Sequence, residues 1–303
     1  LFGQTIANYV NAVWERLGRP EPFVVCEVAA GSGTLLEPLL EHLEMPAHAV
    51  AVEASAAARE ALARRVPHAE VVAVLDDVPQ RFDGVIIANE LLDNIPMALA
   101  VRRGSVWTER WVTEDADGGF AFVEAAARPE VIAWLHRWAG PVSDGGIVEV
   151  QTRAASWLRS CVGHLDAGAL VVFDYGDTAE GLARRRVDGT LRTYQAHHLG
   201  PHPLTMPGTV DITGDVNFSA VADVLSDLGA AVRVERQAHV LRSWGLGEQR
   251  DRLRDRELEL ARAGEGLERL VVKTRVTEAD TLLHPRGLGD FTVAIAEFGL
   301  GAS

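Results

Sequence analysis

The chain has 303 residues, 48% of them hydrophobic, enough for one large domain or a core with a smaller lobe. Its formal charge of −14 argues against nucleic-acid binding, which depends on Lys and Arg neutralising phosphates, and suits a cationic ligand. No apolar run reaches the ~18 residues of a membrane helix, so no membrane partner is expected. No basic segment precedes an apolar core as in a signal peptide. Cys26 and Cys161 lie far apart in apolar runs without metal-ligand spacing, so reduced thiols and a cytoplasmic location are expected. Lys273 is the only lysine beside many arginines, and Ala and Gly are abundant, a composition that suggests a GC-rich bacterial genome. The chain opens at Leu1 rather than Met, and the native protein is expected to extend further upstream.

Ile6, Val10, Val13, Trp14 and Leu17 recur at helical spacing over residues 1–17. Residues 23–28 read as a buried strand and 33–43 as a helix. "HAVAVEAS" is a second strand that ends at Glu53, "AAAREALARRV" a helix, "AEVVAVL" a third strand and "DGVIIANE" a fourth. Strands that alternate with helices imply an α/β, doubly wound, mostly parallel sheet. The rhythm then breaks: "ALAVRR", "VWTERWVT" and "GFAFVEA" read as β-hairpins, with a turn at "DADGG", followed by the helix "VIAWLHRWA". "GIVEV", "TRAASWLRSCVGHL" and "GALVVFDYG" return to strand, helix and strand. Residues 177–210 are rich in Gly, Pro, His and Arg and read as a long functional loop. "NFSAVADVLSDLG" is a helix with Asn217 as its N-cap, and "AVRVERQ" and "FTVAIAEFG" are strands. The charged residues over 247–275 read as a solvated helical hairpin. These elements predict a single domain over 1–303. Its core covers about 1–96, 145–176 and part of 211–303, and the inserted lobe covers about 97–144 and 177–210.

"FVVCEVAAGSGTLLEPLL" joins an apolar strand, a glycine turn and a helix start, the pattern with which nucleotide sites begin. A dinucleotide fold wants G-x-G-x-x-G, with the third glycine for close helix–strand packing. Here Leu36 stands in that place. Glu27, at the end of the strand, would repel a pyrophosphate. S-adenosylmethionine (SAM) carries an ammonium and a sulfonium and no phosphate, so the carboxylate points to it instead. Glu53 can accept hydrogen bonds from both ribose hydroxyls, or it can serve only as a helix N-terminal acid. Asp76 and Asp77 follow the third strand, where one of them can meet the adenine amino group. "ANELLDNIPM" follows the fourth strand, and ligands in such sheets sit beyond the carboxyl ends of the strands. Glu90 and Asp93 there can orient a substrate nitrogen or take a proton. Alternatively, Asn89 caps a helix and Asp93 points to solvent.

The segments "CEVAAGSGTL", "ANELLDNIPM", "ALVVFDYGD" and "GTLRTYQAHHLGPHPLTMPGTVDITGDVNFSAVADVL" resemble the MidA-like SAM-dependent methyltransferases. That family includes the mitochondrial assembly factor that methylates an arginine of a complex I subunit. The resemblance runs in order over most of the chain and includes "LLHPRGLGDFTVAIAEFG". It implies a class I methyltransferase fold, Rossmann-like, with an added substrate lobe. It also implies that Glu27, Ala29, Ala30, Gly31, Ser32, Gly33, Thr34 and Glu53 hold SAM, and that Asn89, Glu90 and Asp93 lie at the transfer site. Ala29 stands where the family has its first glycine, and Leu91 and Leu92 stand where it has two phenylalanines, which removes aromatic faces for a guanidinium. Tyr175, His197 and His198 are candidate substrate contacts, the histidines because their pKa lies near neutrality. The two histidines lack a third ligand at suitable spacing, so no metal site is expected. Arginine of a partner protein is the expected methyl acceptor. A small-molecule O- or N-acceptor and a non-catalytic SAM-binding assembly role are the alternatives.

Overall fold

The computed structural model describes residues 1–78, 81–185, 188–195 and 198–300. In chain order the first elements are α1 (Phe2–Arg16), β1 (Val24–Val28), α2 (Leu36–Leu40), β2 (His48–Val52), α3 (Ala56–Arg65), β3 (Glu70–Val72) and β4 (Phe82–Asn89). Next come β5 (Ala98–Arg103), β6 (Val106–Glu114), β7 (Phe120–Ala126), α4 (Pro129–Trp138), β8 (Ile147–Val150), α5 (Thr152–Gly163) and β9 (Leu165–Asp174). They are followed by β10 (Gly176–Asp177), α6 (Ala179–Arg185), β11 (Arg192–Gln195), β12 (His198–Leu199), β13 (Asp211–Thr213), β14 (Val216–Asn217) and α7 (Phe218–Asp227). The chain closes with β15 (Ala231–Arg236), α8 (Gln237–Ser243), α9 (Leu246–Ala263), α10 (Gly266–Leu282) and β16 (Thr292–Phe298). It divides into two compact units, one of residues 1–89, 160–173 and 228–303, the other of residues 90–159 and 174–227.

The first unit carries a seven-stranded sheet in the order β15-β16-β9-β4-β1-β2-β3. β1 runs parallel to both β2 and β4, β2 to β3, and β4 to β9; β15 and β16 pair antiparallel. The α/β, doubly wound reading therefore holds. The strands that it buries are continuous apolar runs, as a sheet covered on both faces requires. β1 is buried at every position. The strand order reverses between β1 and β4, which is where such sheets open a crevice beyond their carboxyl ends. Ile6, Val10 and Val13 of α1 join Phe23, Ile87, Val171 and Phe173 in the core. Tyr9 stacks on Trp244 at 4.6 Å and donates its hydroxyl hydrogen to Glu297, which also takes both Arg16 nitrogens. The charged hairpin is α9 and α10, joined at Gly264 in the left-handed region and laced by ion pairs such as Arg254–Asp280 at 2.9 Å.

The second unit holds a four-stranded sheet, β7-β6-β5-β8, a three-stranded sheet, β12-β11-β13, and the parallel pair β10-β14. Its hairpins follow the sequence reading: β5, β6 and β7 pair in succession, and Asp115 accepts the Gly119 N–H to close the turn. Asn217 accepts the Ala220 N–H at 3.1 Å, the expected cap of α7.

Several boundaries differ from the sequence reading. The helix expected over 33–43 is only Leu36–Leu40, because Gly33 has φ +78 and the chain turns before it can wind. The third strand shrinks to Glu70–Val72. "GIVEV" pairs with β5 in the four-stranded sheet and not with the parallel strands, which removes it from the expected core. Residues 177–210 are not one loop: α6, β11 and β12 lie within them, and the buried Glu149 of β8 accepts the Thr190 and Leu191 N–H groups to anchor the segment. The expected lobe, 97–144 and 177–210, is smaller than the second unit, which starts at Glu90 and takes in residues up to Asp227.

Gly84 of β4 lies opposite Gly168 of β9, and the latter has φ +134. A Cβ on Gly168 would stand 1.8 Å from the Gly84 carbonyl oxygen. Gly168→Ala is therefore expected to cost about 3 kcal/mol or more, from strain and overpacking together. Urea denaturation of wild type and variant measures it, and a loss of under about 1 kcal/mol would contradict the close approach.

Candidate functional site

The glycine turn follows β1. Glu27 is 4% exposed, and its Oε2 is buried with no hydrogen-bond partner. Burial, helped by the Glu53 charge and opposed by the Leu36 N–H, pushes the Glu27 carboxyl up to about 8. Ala29, Gly31 and Gly33 all have positive φ, at +58, +54 and +78. Ala30, which is buried, donates its N–H to Val52, and Gly33 donates to the Ala30 carbonyl at 2.9 Å. A Cβ on Gly31 would meet nothing within 4 Å, so the turn opens onto free space there. Glu53 takes the Gly31 N–H on Oε2 at 2.8 Å and the Ser55 N–H on Oε1 at 2.7 Å, tying the turn to the start of α3. Ser32 is half-buried, Thr34 exposed, and Asn89 is the half-buried last residue of β4. Asp76 is exposed in the 3-10 turn Leu75–Asp77. Leu36, at the position of a dinucleotide fold's third glycine, is fully buried, so its side chain fills the space that a glycine would leave.

The second constellation is a cavity of about 540 Å³ within the second unit, lined by Glu90, Asp93, Asn94, Tyr175, Tyr194, Asp211 and Thr213. None of the lining residues is basic. Glu90 has φ +50, a left-handed conformation that is costly for a residue with a Cβ. The Tyr175 hydroxyl donates to Glu90 Oε2 at 3.3 Å. Asp93 does not point to solvent: it is 2% exposed, and its Oδ1 accepts the Asn94 side-chain N–H at 2.8 Å. Burial, with the Glu90 and Asp211 charges, raises the Asp93 carboxyl to about 6 against the pull of Asn94. Burial and the Glu90 charge raise the Tyr175 phenol.

Tyr194 and Asp211 were not singled out from the sequence as site residues. The signal for Asp211 was the alternation of β13, which puts Asp211 and Thr213 on one face and Ile212 on the other. Tyr175 and Tyr194 supply aromatic faces to the cavity where Leu91 and Leu92 do not. His198 is exposed on β12 and is not among the lining residues, so the structure does not bring it to this cavity; His197 lies outside the described residues. A second cavity of about 460 Å³ in the same unit is apolar, with Met97, Leu99, Phe122, Leu204 and Ile212 in its wall; Asn94 lines both cavities. Among the described residues, no group of three or more His, Cys, Asp or Glu could hold a metal ion, and no helix is long and apolar enough to cross a membrane.

The Methyltransf_28 family model, which describes S-adenosyl-L-methionine-dependent methyltransferases, matches residues 5–235. The chain belongs to this family. It is 25% identical over 265 residues to the mitochondrial protein arginine methyltransferase NDUFAF7 homolog of Drosophila melanogaster, covering 76% of this chain and 58% of that protein. It is 23% identical to the Xenopus tropicalis protein arginine methyltransferase NDUFAF7, over 81% of this chain and 63% of the relative. The chain thus spans about three fifths of the length of these relatives. A Burkholderia thailandensis protein of the COG1565 superfamily, a likely methyl transferase solved with S-adenosyl-homocysteine, superposes with a TM-score of 0.82 at 27% identity, over 100% of this chain and 77% of that one. SAM is the family's cofactor, and the turn fits it: a buried carboxylate oxygen lacks a donor, and free space lies above Gly31.

Glu27 must ionise to meet a cation, so affinity for S-adenosylhomocysteine is expected to rise between pH 6 and pH 8, by up to about tenfold per pH unit, with release of a proton. Titration calorimetry in buffers of different protonation enthalpy reads both effects. Glu27→Gln should flatten the profile; a flat profile in the wild type would contradict the assignment.

Proposed function

We propose that the chain is a SAM-dependent methyltransferase that methylates a cationic nitrogen, the guanidinium of an arginine in a partner protein. The observation that carries this reading is the acidic cavity: three carboxylates and two tyrosines with no basic side chain among its lining. Such a lining favours a cation by charge and offers aromatic faces to it. The arginine methyltransferase names of the relatives support the same acceptor class.

In this reading Glu27, Gly31 and Glu53 would hold SAM, with Ala29, Ala30, Ser32, Gly33 and Thr34 forming the turn around it. Asn89 and Asp76 are the remaining candidates. The cofactor supplies an electrophilic methyl carbon on a sulfonium. A guanidinium is always protonated in water, so it must be held rigidly and lose a proton as its nitrogen is alkylated. Glu90 orients it through charge-assisted hydrogen bonds. Asp93, with its proton affinity raised, is the group placed to accept the proton. The buried, unpaired thiols of Cys26 and Cys161 support a reducing compartment, in keeping with a cytoplasmic location. The apolar cavity that shares Asn94 with the acidic one favours a second reading, a small-molecule acceptor with an apolar body.

Glu90→Gln is expected to leave S-adenosylhomocysteine affinity within a few-fold and to lower kcat and kcat/KM together, on the order of 100-fold. Because Asp93 must be ionised to take a proton, kcat at saturating SAM should increase as pH rises through about 6 and level off above it. Steady-state rates across pH with labelled SAM test both statements. Unchanged turnover in the variant would make Glu90 structural. Labelled SAM incubated with host lysate separates the two acceptors: label in protein supports arginine, and label in metabolites alone overturns it.

A further inference from the structure

We propose that Asp174 is the positioning residue of the acceptor site, the group that holds both Glu90 and Tyr175 in place. The inference rests on the reading of the acidic cavity given above. Asp174 ends the apolar run of β9 and is fully buried. Its Oδ2 accepts the Leu92 N–H at 2.7 Å and the Asp93 N–H at 3.2 Å. Its Oδ1 accepts the Tyr175 N–H at 2.8 Å. Those bonds grip the two ends of one pair, because the Tyr175 hydroxyl donates to Glu90.

Glu90 sits at φ +50, and such a conformation persists only where its surroundings over-determine it. The Leu92 and Asp93 N–H groups, two and three residues downstream, are the part of that turn that Asp174 fixes. An asparagine has the same size but only one acceptor oxygen, so its amide N–H groups would face a backbone donor. Burial and the Asp93 charge raise the Asp174 carboxyl well above the usual carboxylate range, against the pull of its three backbone N–H bonds. Asp93 is faced as well by the Glu90 and Asp211 carboxylates and by the Asn94 amide, with the Tyr175 and Tyr194 phenols in the same lining.

The test uses Asp174→Asn with three readouts: S-adenosylhomocysteine affinity, transfer rate, and stability. The proposal expects affinity within about 3-fold of wild type and a fall in kcat of roughly 100-fold from misplacement of Glu90. Unchanged kcat overturns it. Loss of cofactor affinity in step with activity also overturns it, because the role is then that of a core residue. Should Asp174→Asn fail to fold, the double variant Glu90→Gly/Asp174→Asn provides the second measurement. Glycine relieves the left-handed turn, so the double variant is expected to fold, and where both fold Asp174→Asn should destabilise the Glu90→Gly variant less than it destabilises the wild type. A double variant that also fails to fold, or equal destabilisation in both backgrounds, overturns the proposal. If the wild type transfers no methyl group to a cationic acceptor, the functional reading fails while the stability cycle still decides the role of Asp174.

Discussion

Burying a carboxylate is costly unless hydrogen-bond donors or a cation meet it, and the arrangement of the two candidate sites follows from how their acids are met. Asp174 is satisfied within the protein, by three backbone N–H groups. Glu53 is met by the N–H groups of Gly31 and Ser55. Glu27 is not: one of its oxygens is buried and without a partner, and its proton affinity rises as a result. Asp93 is met only in part, by Asn94, and it too is held toward its neutral form. Asp174, buried and answered wholly by the fold, therefore acts as a brace, and the acids left unanswered mark where positive charge is missing.

The same division appears in the backbone. Ala29 and Glu90 take left-handed conformations that glycine would adopt freely. Each costs about 1–2 kcal/mol. Both stand beside the unanswered acids, Ala29 in the turn after Glu27 and Glu90 in the segment that carries Asp93. Strain of this kind survives where neighbouring bonds hold it, here the Glu53 bond to Gly31 and the Asp174 bonds to Leu92 and Asp93.

The parallel sheet was legible because its strands are short apolar runs bounded by glycine or acid, and because the helices between them keep a 3.6-residue period. Glu27 and Glu53 were legible for a chemical reason: an acid at a strand end beside a glycine turn conflicts with phosphate. The rule that singled out Glu27 in "FVVCE" applies equally to Asp174 in "LVVFD", yet the hydrogen bonds of Asp174 depend on residues some 80 positions away, which local pattern cannot supply. Residues 177–210 were misread as a loop because their strands are only a few residues long and pair with distant partners such as β13. The helix after the glycine turn was overextended because periodicity continues through Gly33 to Leu35, where the backbone turns instead. Asp211 gave only an alternation signal, and Tyr194 none beyond its place in a family-like segment.

The claim that the buried acid at the glycine turn selects a cationic, phosphate-free cofactor is tested most directly by calorimetric titration of the unmodified chain with SAM and, separately, with NAD⁺. Above about pH 8, where Glu27 is ionised, the account predicts saturable binding of SAM and no binding of NAD⁺, whose pyrophosphate would meet like charge at Glu27. Binding of NAD⁺ without binding of SAM would contradict it.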